Sequence, residues 1–133
     1  MIYALVDGGS RNNQDPNKRQ AYGTFLIVEG PSPFEMQDTT TIARETIQFG
    51  NRTNNEAEYM ICIACLKFCL KQGISISHIA TDSMLVYLQL AGSYKVRDKK
   101  ISLLFDEVRL LLKLAGAEVN KISREVTVFY LGH

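Results

Sequence analysis

Three acidic residues stand where separate secondary-structure elements would present a carboxylate to a common point. Asp7 ends one short apolar segment, Asp82 ends another, and Glu58 lies in the polar start of a long helical pattern. Carboxylates that converge from separate elements repel one another unless a hard divalent cation lies between them, and Mg²⁺ prefers oxygen ligands of this kind. The three residues therefore predict a metal-dependent enzyme.

The elements that would carry these acids follow from hydrophobic periodicity and turn residues. The pattern predicts secondary-structure elements in the order βββαβααβ, with early strands joined by hairpins and later strands separated by helices. This order favours a mixed sheet with helices packed on its faces. The predicted strands are residues 2–7, 22–29, 40–49, 76–81 and 126–131, and the predicted helices are 53–72, 83–90 and 98–114.

Glu58, and not Glu56, is the acid that we expect to face the site. In a helix of 3.6 residues per turn, Asn54, Glu58 and Ile61 share one face, whereas Glu56 points about 160° away from Glu58. Glu56 is interpreted as an exposed acid that favours the helix dipole.

Bulk properties indicate one globular domain, residues 1–133, with an apolar fraction of 46% and a net charge of +1. A charge this small gives no general electrostatic attraction to nucleic acid, so binding would need a local patch. No signal peptide or membrane-spanning run is apparent, so we expect a cytoplasmic monomer with no membrane partner.

The three cysteines, Cys62, Cys65 and Cys69, recur at helical spacing on one face. No second pair of metal-ligating residues with suitable spacing accompanies them, so core packing is the preferred interpretation.

Together the motifs resemble the type 1 ribonuclease H family, in the form without a basic protrusion. The resemblance rests on Asp7-Gly-Gly-Ser10 after the first strand, Thr53-Asn-Asn-x-x-Glu58 at the first helix and Asp82-Ser83 after the fourth strand. It covers nearly the whole chain. It implies an α/β, ribonuclease H-like mixed five-stranded sheet, with three antiparallel strands followed by parallel ones and helices on both faces.

The resemblance also implies an activity, which is hydrolysis of the RNA strand of RNA–DNA hybrids by a two-metal-ion mechanism that leaves 5′-phosphate and 3′-hydroxyl ends. The implied cofactors are two Mg²⁺ ions, with Mn²⁺ as a substitute. The implied catalytic residues are Asp7, Glu58, Asp82 and His133, and the implied metal-binding positions are Asp7, Gly8, Glu58 and Asp82.

Four positions match residues that the family uses to bind its hybrid, namely Asn13, Thr53, Asn54 and Asn55, and Ser83, Lys95 and Arg97 are further candidates for substrate binding. Asn54 and Asn55 are equally suited to helix capping, and each could do both. Lys95 and Arg97 belong to the basic stretch 94–100, for which a solvated loop before a helix is an equal alternative.

Departures from the family keep other functions open. The family's fourth carboxylate, on a last helix, has no match, and that helix is expected to be absent from this chain. A catalytically impaired module that binds hybrids is therefore one alternative. A proofreading exonuclease of the same fold is another, although such enzymes carry an Asp-x-Glu pair on the first strand and here Gly8-Gly9 follows Asp7. An α/β domain of unrelated function is the third.

Overall fold

The computed structural model describes residues 1–132 of the chain. Nine elements follow one another in these residues. The strands are β1 (Ile2–Arg11), β2 (Gln20–Glu29), β3 (Thr40–Gly50), β4 (His78–Thr81) and β5 (Glu118–Lys121). The helices are α1 (Asn54–Gln72), α2 (Met84–Leu90), α3 (Lys99–Ala115) and α4 (Arg124–Leu131).

The five strands form one mixed sheet in the order β3-β2-β1-β4-β5. β1, β2 and β3 pair antiparallel, whereas β4 pairs parallel with both β1 and β5. The predicted sheet of three antiparallel strands followed by parallel ones is confirmed. The turn at Asp7-Gly8-Gly9 is absent, because β1 continues through these residues to Arg11 in register with β2.

Helices cover both faces of the sheet, as predicted. Along β1, Ala4 and Val6 pack on the side of α1, α2 and α3, while Tyr3 and Leu5 pack on the opposite side with Leu131 of α4. Alternate residues of a strand point to opposite faces, so the first half of β1, residues 2–6, is continuously apolar because it is covered on both faces.

Helix α1 begins with a capping box. The Thr53 hydroxyl accepts a hydrogen bond from the Glu56 backbone N–H, and the Glu56 carboxylate accepts one from the Thr53 backbone N–H. Glu56 also pairs with Arg52 at 3.2 Å and is only 6% exposed. The prediction that Glu56 is an exposed acid is therefore wrong, since reciprocal capping draws its side chain against the helix end.

The C-terminal part of the described chain differs from the prediction. Residues 126–131 are not the fifth strand; they belong to α4, and β5 is the earlier segment Glu118–Lys121. Aromatic and β-branched residues suggested a strand, but Thr127 and Leu131 are buried four residues apart, which is a helical period. Ser123 caps α4, since its hydroxyl accepts from the Val126 backbone N–H at 3.3 Å.

The expected absence of a helix after the fifth strand is thus also wrong, because α4 follows β5 and packs against the sheet. The sequence signal for β5 was weak because the strand is short, polar and paired on one side only. None of the described helices is both long enough and apolar enough to cross a lipid bilayer.

Candidate active site

Asp7, in the middle of β1, and Asp82, directly after the end of β4, lie side by side where the pairing of these two strands ends. Val6 is the register partner of Thr81 in this parallel pair, so the residue that follows each of them leaves the ladder at the same edge. Oxygen atoms of Asp7, Asp82 and Glu58 all lie within 4.8 Å of one another. The sequence-based prediction that these three carboxylates converge is confirmed as geometry.

Glu58 reaches the cluster from α1 because Gly8 lets that helix approach β1 closely. A Cβ built on Gly8 would lie 2.8 Å from the carbonyl carbon of Ala57 and 2.9 Å from the backbone nitrogen of Glu58. Distances under 3.0 Å are not tolerated between a side chain and backbone, so only glycine fits this crossing. Gly8 therefore determines where the Glu58 carboxylate lies.

Burial and like charge act together on Glu58. Desolvation, followed by the repulsion of Asp7 and Asp82, raises the pKa of Glu58 from 4.5 to about 8, against opposing effects of the Gly8 backbone N–H and Arg124. Its Oε2 is buried and has no hydrogen-bond partner among residues 1–132. A buried carboxylate oxygen of this kind is costly to leave unsatisfied, and a cation would compensate for it.

Arg124, the first residue of α4, contacts two of the three acids. Its Nη1 donates to Asp82 Oδ2 at 2.9 Å and to Asp7 Oδ2 at 3.2 Å. The Arg124 side chain is 59% exposed, whereas the two carboxylates are 12% and 11% exposed. The guanidinium therefore covers the acids from the solvent side.

The chemistry of this donor set fits a hard divalent cation. All three candidate ligands are carboxylates, they come from three elements, and one of their oxygens is buried without a partner. Mg²⁺ and Mn²⁺ select such oxygen ligands. Asp7, Glu58 and Asp82 are the residues that would hold such an ion.

The acids lie at one end of an open cleft of about 520 Å³. Four of the other predicted site residues line it with them, namely Gly8, Asn54, Asn55 and Ser83. Ser83 also caps α2, because its hydroxyl accepts from the Val86 backbone N–H at 3.2 Å. Lys121 and Tyr22 complete the polar rim.

A second cleft, of about 700 Å³, adjoins the first and shares Asn54 and Asn55 with it. The predicted binding residues Asn13 and Thr53 line this second cleft. So do the cations Arg19, Lys99 and Lys100 and the capped N-termini of α1 and α3. The carboxylates of Glu56 and Asp98 also line this cleft, but the three cations outnumber them, which suits the cleft to an anion.

The asparagines have a structural role that overlaps with the predicted one. The Asn13 side chain accepts a hydrogen bond from the Asn54 backbone N–H at 2.9 Å, and the Asn54 side chain accepts one from the Ser10 backbone N–H. These bonds fasten the end of β1 and the loop after it to the start of α1. Capping is thus a demonstrated role for Asn13, and its amide nitrogen stays available for other contacts.

Two predicted residues are placed elsewhere, and one is not described. Lys95 and Arg97 are exposed and line neither of the two clefts, whereas their neighbours Lys99 and Lys100 line the second. His133, predicted to be catalytic, lies outside the described residues.

The cysteines lie in the core, as predicted. Cys62, Cys65 and Cys69 are at most 2% exposed and pack among the residues between α1 and the sheet. Burial raises the pKa of the Cys62 thiol well above its usual range.

Sequence reasoning missed Arg124 and Arg19. The predicted strand 126–131 left Arg124 in the connection before it, although Ser123 followed by Thr127 and Leu131 at helical spacing is the pattern of a capped helix. No local sequence pattern marks Arg19 as a site residue. Its side chain is oriented by a 2.8 Å hydrogen bond from its Nε to the Asn13 carbonyl, which only the folded loop provides.

Comparisons with known proteins agree with this geometry. The family model described as reverse transcriptase-like matches residues 36–128. A curated protein of Mycobacterium tuberculosis, described as bifunctional, is 32% identical over 106 residues, which is 80% of this chain and 26% of that protein. A ribonuclease HI of Halobacterium salinarum is 33% identical over 97 residues, which is 73% of this chain and 43% of that protein. The chain thus spans about a quarter of the mycobacterial relative and less than half of the halobacterial one.

Solved structures show the same fold. RNase H1 from Halobacterium salinarum superposes with a TM-score of 0.79 at 28% identity, covering 93% of this chain and 86% of that one. The N-terminal RNase H domain of the Mycobacterium tuberculosis protein gives a TM-score of 0.79 at 26% identity, covering 96% and 91%. LC11-RNase H1 in complex with an RNA/DNA hybrid superposes with a TM-score of 0.78, covering 94% of this chain and 87% of that one. At 23% identity this similarity shows the fold alone.

Proposed function

Because the chain belongs to the type 1 ribonuclease H family, we propose that it is an endonuclease that hydrolyses the RNA strand of RNA–DNA hybrids. The observation that carries this proposal is the cluster of Asp7, Glu58 and Asp82, three carboxylates from separate elements within 4.8 Å in an open cleft. A cleft open to solvent suits a polymeric substrate that enters from the side.

The proposed cofactor is a pair of Mg²⁺ ions, with Mn²⁺ as a substitute, held by Asp7, Glu58 and Asp82 next to Gly8. Divalent ions bound at such a site supply an activated water and stabilise the charge that develops on the phosphate oxygens. Glu58 must give up its proton to act as a ligand, because a pKa raised to about 8 keeps it protonated below neutrality. His133 is proposed as a further catalytic residue from the family resemblance alone.

The cleft residues beside the acids are proposed to recognise the RNA strand. Asn54, Asn55 and Ser83 present short polar groups along the cleft. Recognition of a hybrid depends on 2′-hydroxyl and sugar contacts in a wide, shallow minor groove, which small polar side chains and backbone groups can reach. Cleavage is proposed to leave 5′-phosphate and 3′-hydroxyl ends.

The second cleft is proposed to hold phosphates of the DNA strand. Asn13 and Thr53 line it with Arg19, Lys99 and Lys100. Local positive charge of this kind substitutes for the overall charge that the chain lacks, since phosphate contacts supply most of the non-specific affinity for nucleic acid. Lys95 and Arg97, on the exposed segment before α3, are proposed as weaker contacts at the edge of this surface.

The strands from residue 2 to residue 121 form one sheet. This supports the further proposal that residues 1–133 are a single domain, and we also propose that it acts as a monomer.

A second candidate function is a hybrid-binding module with impaired catalysis. The observation that favours it is the composition of the acidic cluster, to which α4 contributes Arg124, and among residues 1–132 no fourth acid joins the other three. Such a module would keep the clefts and lose turnover.

The test is a substrate panel with wild-type protein in Mg²⁺. End-labelled RNA–DNA hybrid, RNA duplex, DNA duplex and single-stranded RNA are incubated under the same conditions, and binding is measured in parallel in Ca²⁺. The endonuclease proposal predicts cuts in the RNA strand of the hybrid, with product ends that a ligase requiring 5′-phosphate accepts. Tight binding to the hybrid without cuts would identify the binding module instead.

A further inference from the structure

The Arg124 guanidinium occupies the solvent-facing side of the acidic cluster through a single nitrogen. That atom, Nη1, lies 2.9 Å from Asp82 Oδ2 and 3.2 Å from Asp7 Oδ2. The contact with Asp82 has the length of a charge-assisted hydrogen bond, and the contact with Asp7 is a longer ion pair. One cationic group therefore already bridges two of the three proposed metal ligands.

A divalent ion and this guanidinium would compete for the same carboxylates. Ligation requires lone pairs of the carboxylate oxygens at about 2.0–2.1 Å from Mg²⁺. Oδ2 of each aspartate is engaged by Arg124, and the fixed positive charge beside these oxygens also repels a second cation. The ion would have to displace the guanidinium or tolerate its charge at close range.

Arg124 is free to move without disrupting α4. Its side chain is 59% exposed, and the hydrogen bonds that it makes within residues 1–132 are those to Asp7 and Asp82. The helix itself is held by the Ser123 cap and by the buried residues Thr127 and Leu131. Loss of the guanidinium contacts would therefore leave the fold in place.

We propose that Arg124 is an internal counter-cation of the acidic cluster, which divalent metal displaces when it binds, so that this residue sets the metal requirement of the protein. The inference rests on the proposed function only in taking Asp7, Glu58 and Asp82 as metal ligands. In the metal-free protein the guanidinium reduces the repulsion among the three acids. When metal binds, the side chain leaves the aspartates for solvent.

The experiment measures metal binding without nucleic acid. Mg²⁺ and Mn²⁺ are titrated by calorimetry into wild-type protein and into the variants Arg124→Gln, Arg124→Met and Arg124→Lys, and melting temperatures are recorded in EDTA and in each metal. The matched control is Lys121→Gln, which removes one positive charge from the same cleft. Lys121 differs in that its Nζ donates to the Ile122 carbonyl at 2.6 Å and not to the acids.

The expected result is a metal dissociation constant about tenfold lower in Arg124→Gln and Arg124→Met, the size of effect that two exposed ion pairs produce. Arg124→Lys should stay close to wild type, and Lys121→Gln should change by about twofold at most. The two neutral variants should also have lower melting temperatures than wild type in EDTA, and metal should raise their melting temperatures by more.

Three results would overturn the inference. The first is unchanged metal affinity in both neutral variants. The second is an equal increase in metal affinity in Lys121→Gln, which would show that any positive charge in the cleft has the same effect. If wild type still cleaves hybrids in either case, the proposed function stands and only the role of Arg124 fails. The third is the absence of metal binding in every protein, which would also remove the metal-dependent mechanism.

Discussion

Gly8 packs against Glu58 at a crossing of strand and helix that leaves no room for a side chain. A Cβ on Gly8 would lie 2.9 Å from the Glu58 nitrogen, and the backbone N–H of Gly8 lies near enough to the Glu58 carboxylate to lower its pKa. The glycine therefore sets both the position and the electrostatics of a proposed ligand. A Cβ on the neighbouring Gly9 would meet a side chain instead, since its nearest atom would be Tyr22 Oη at 3.1 Å.

Gly8→Ala should lower the free energy of unfolding by about 1–3 kcal/mol, because an added methyl group in a close-packed crossing forces the backbone apart. Hybrid cleavage at a temperature where the variant is folded should fall as well, since Glu58 moves with α1. Urea denaturation and initial cleavage rates measure the two effects.

Gly9→Ala is the control for this prediction. The methyl group it adds meets the end of a tyrosine side chain, which can shift, so the loss of stability should be smaller. A Gly8→Ala variant as stable and active as Gly9→Ala would contradict the packing argument.

Glu58 should make the metal-free protein less stable as pH rises. Its pKa is raised from 4.5 to about 8 in the folded state, so between these values the folded protein binds a proton that the unfolded chain has lost. The stabilising contribution is complete below the unfolded pKa and is lost as pH rises through the folded pKa, with a limiting slope of about 1.4 kcal/mol per pH unit. Denaturation in EDTA from about pH 5 to about pH 8 measures it.

Glu58→Gln isolates this contribution, because glutamine resembles the protonated side chain and does not titrate. The variant should show a flatter dependence of unfolding free energy on pH than wild type in the same window. Parallel curves for the two proteins would show that Glu58 is ionised in the folded state.

Arg44 should anchor the C-terminal end of α4 to β3. Its Nη2 donates to the Leu131 carbonyl at 2.8 Å, which places a cation at the negative end of the helix. Arg44→Gln should destabilise the protein by about 1 kcal/mol. The exposed neighbour Glu45 makes a matched control, and Glu45→Gln should melt close to wild type. Equal melting temperatures for the two variants would show that Arg44 does not stabilise the end of α4.

The three cysteines should be structural. Because Cys62, Cys65 and Cys69 are buried, native protein should react with a thiol reagent only at the rate of local opening, while denatured protein reacts at once. Activity should survive mild oxidation. Stoichiometric zinc in purified protein, or an activity that oxidation abolishes and a reductant restores, would be inconsistent with this role.

The sequence was sufficient for those parts of the fold whose signals are local. The capping residue Thr53 before α1, the glycine after its end at Gly73 and the apolar runs of β1 and β4 locate the three acids on the correct elements. The register of Val6 with Thr81 brings Asp7 beside Asp82. The sequence favours parallel pairing of these strands, but the register itself depends on the tertiary structure.

The sequence was insufficient where tertiary context decides. The run 126–131 has the composition of a strand, but it forms a helix because Thr127 and Leu131 bury against the sheet while β5 takes the polar edge position. That misassignment hid Arg124, whose contact with Asp7 spans 117 residues of sequence. Likewise, Arg19 lines the second cleft only because the folded loop orients it.

We propose above that Asp7, Glu58 and Asp82 carry out metal-dependent cleavage of hybrids. The most direct test compares Asp7→Asn and Asp82→Asn with wild type in two assays, cleavage of a labelled RNA–DNA hybrid in Mg²⁺ and binding of the same hybrid. Asp106→Asn, at an exposed position of α3, is the control. Both cluster variants should stay folded and bind hybrid while cleavage falls by orders of magnitude, and Asp106→Asn should cleave normally. Near-normal cleavage by either cluster variant would contradict the proposal.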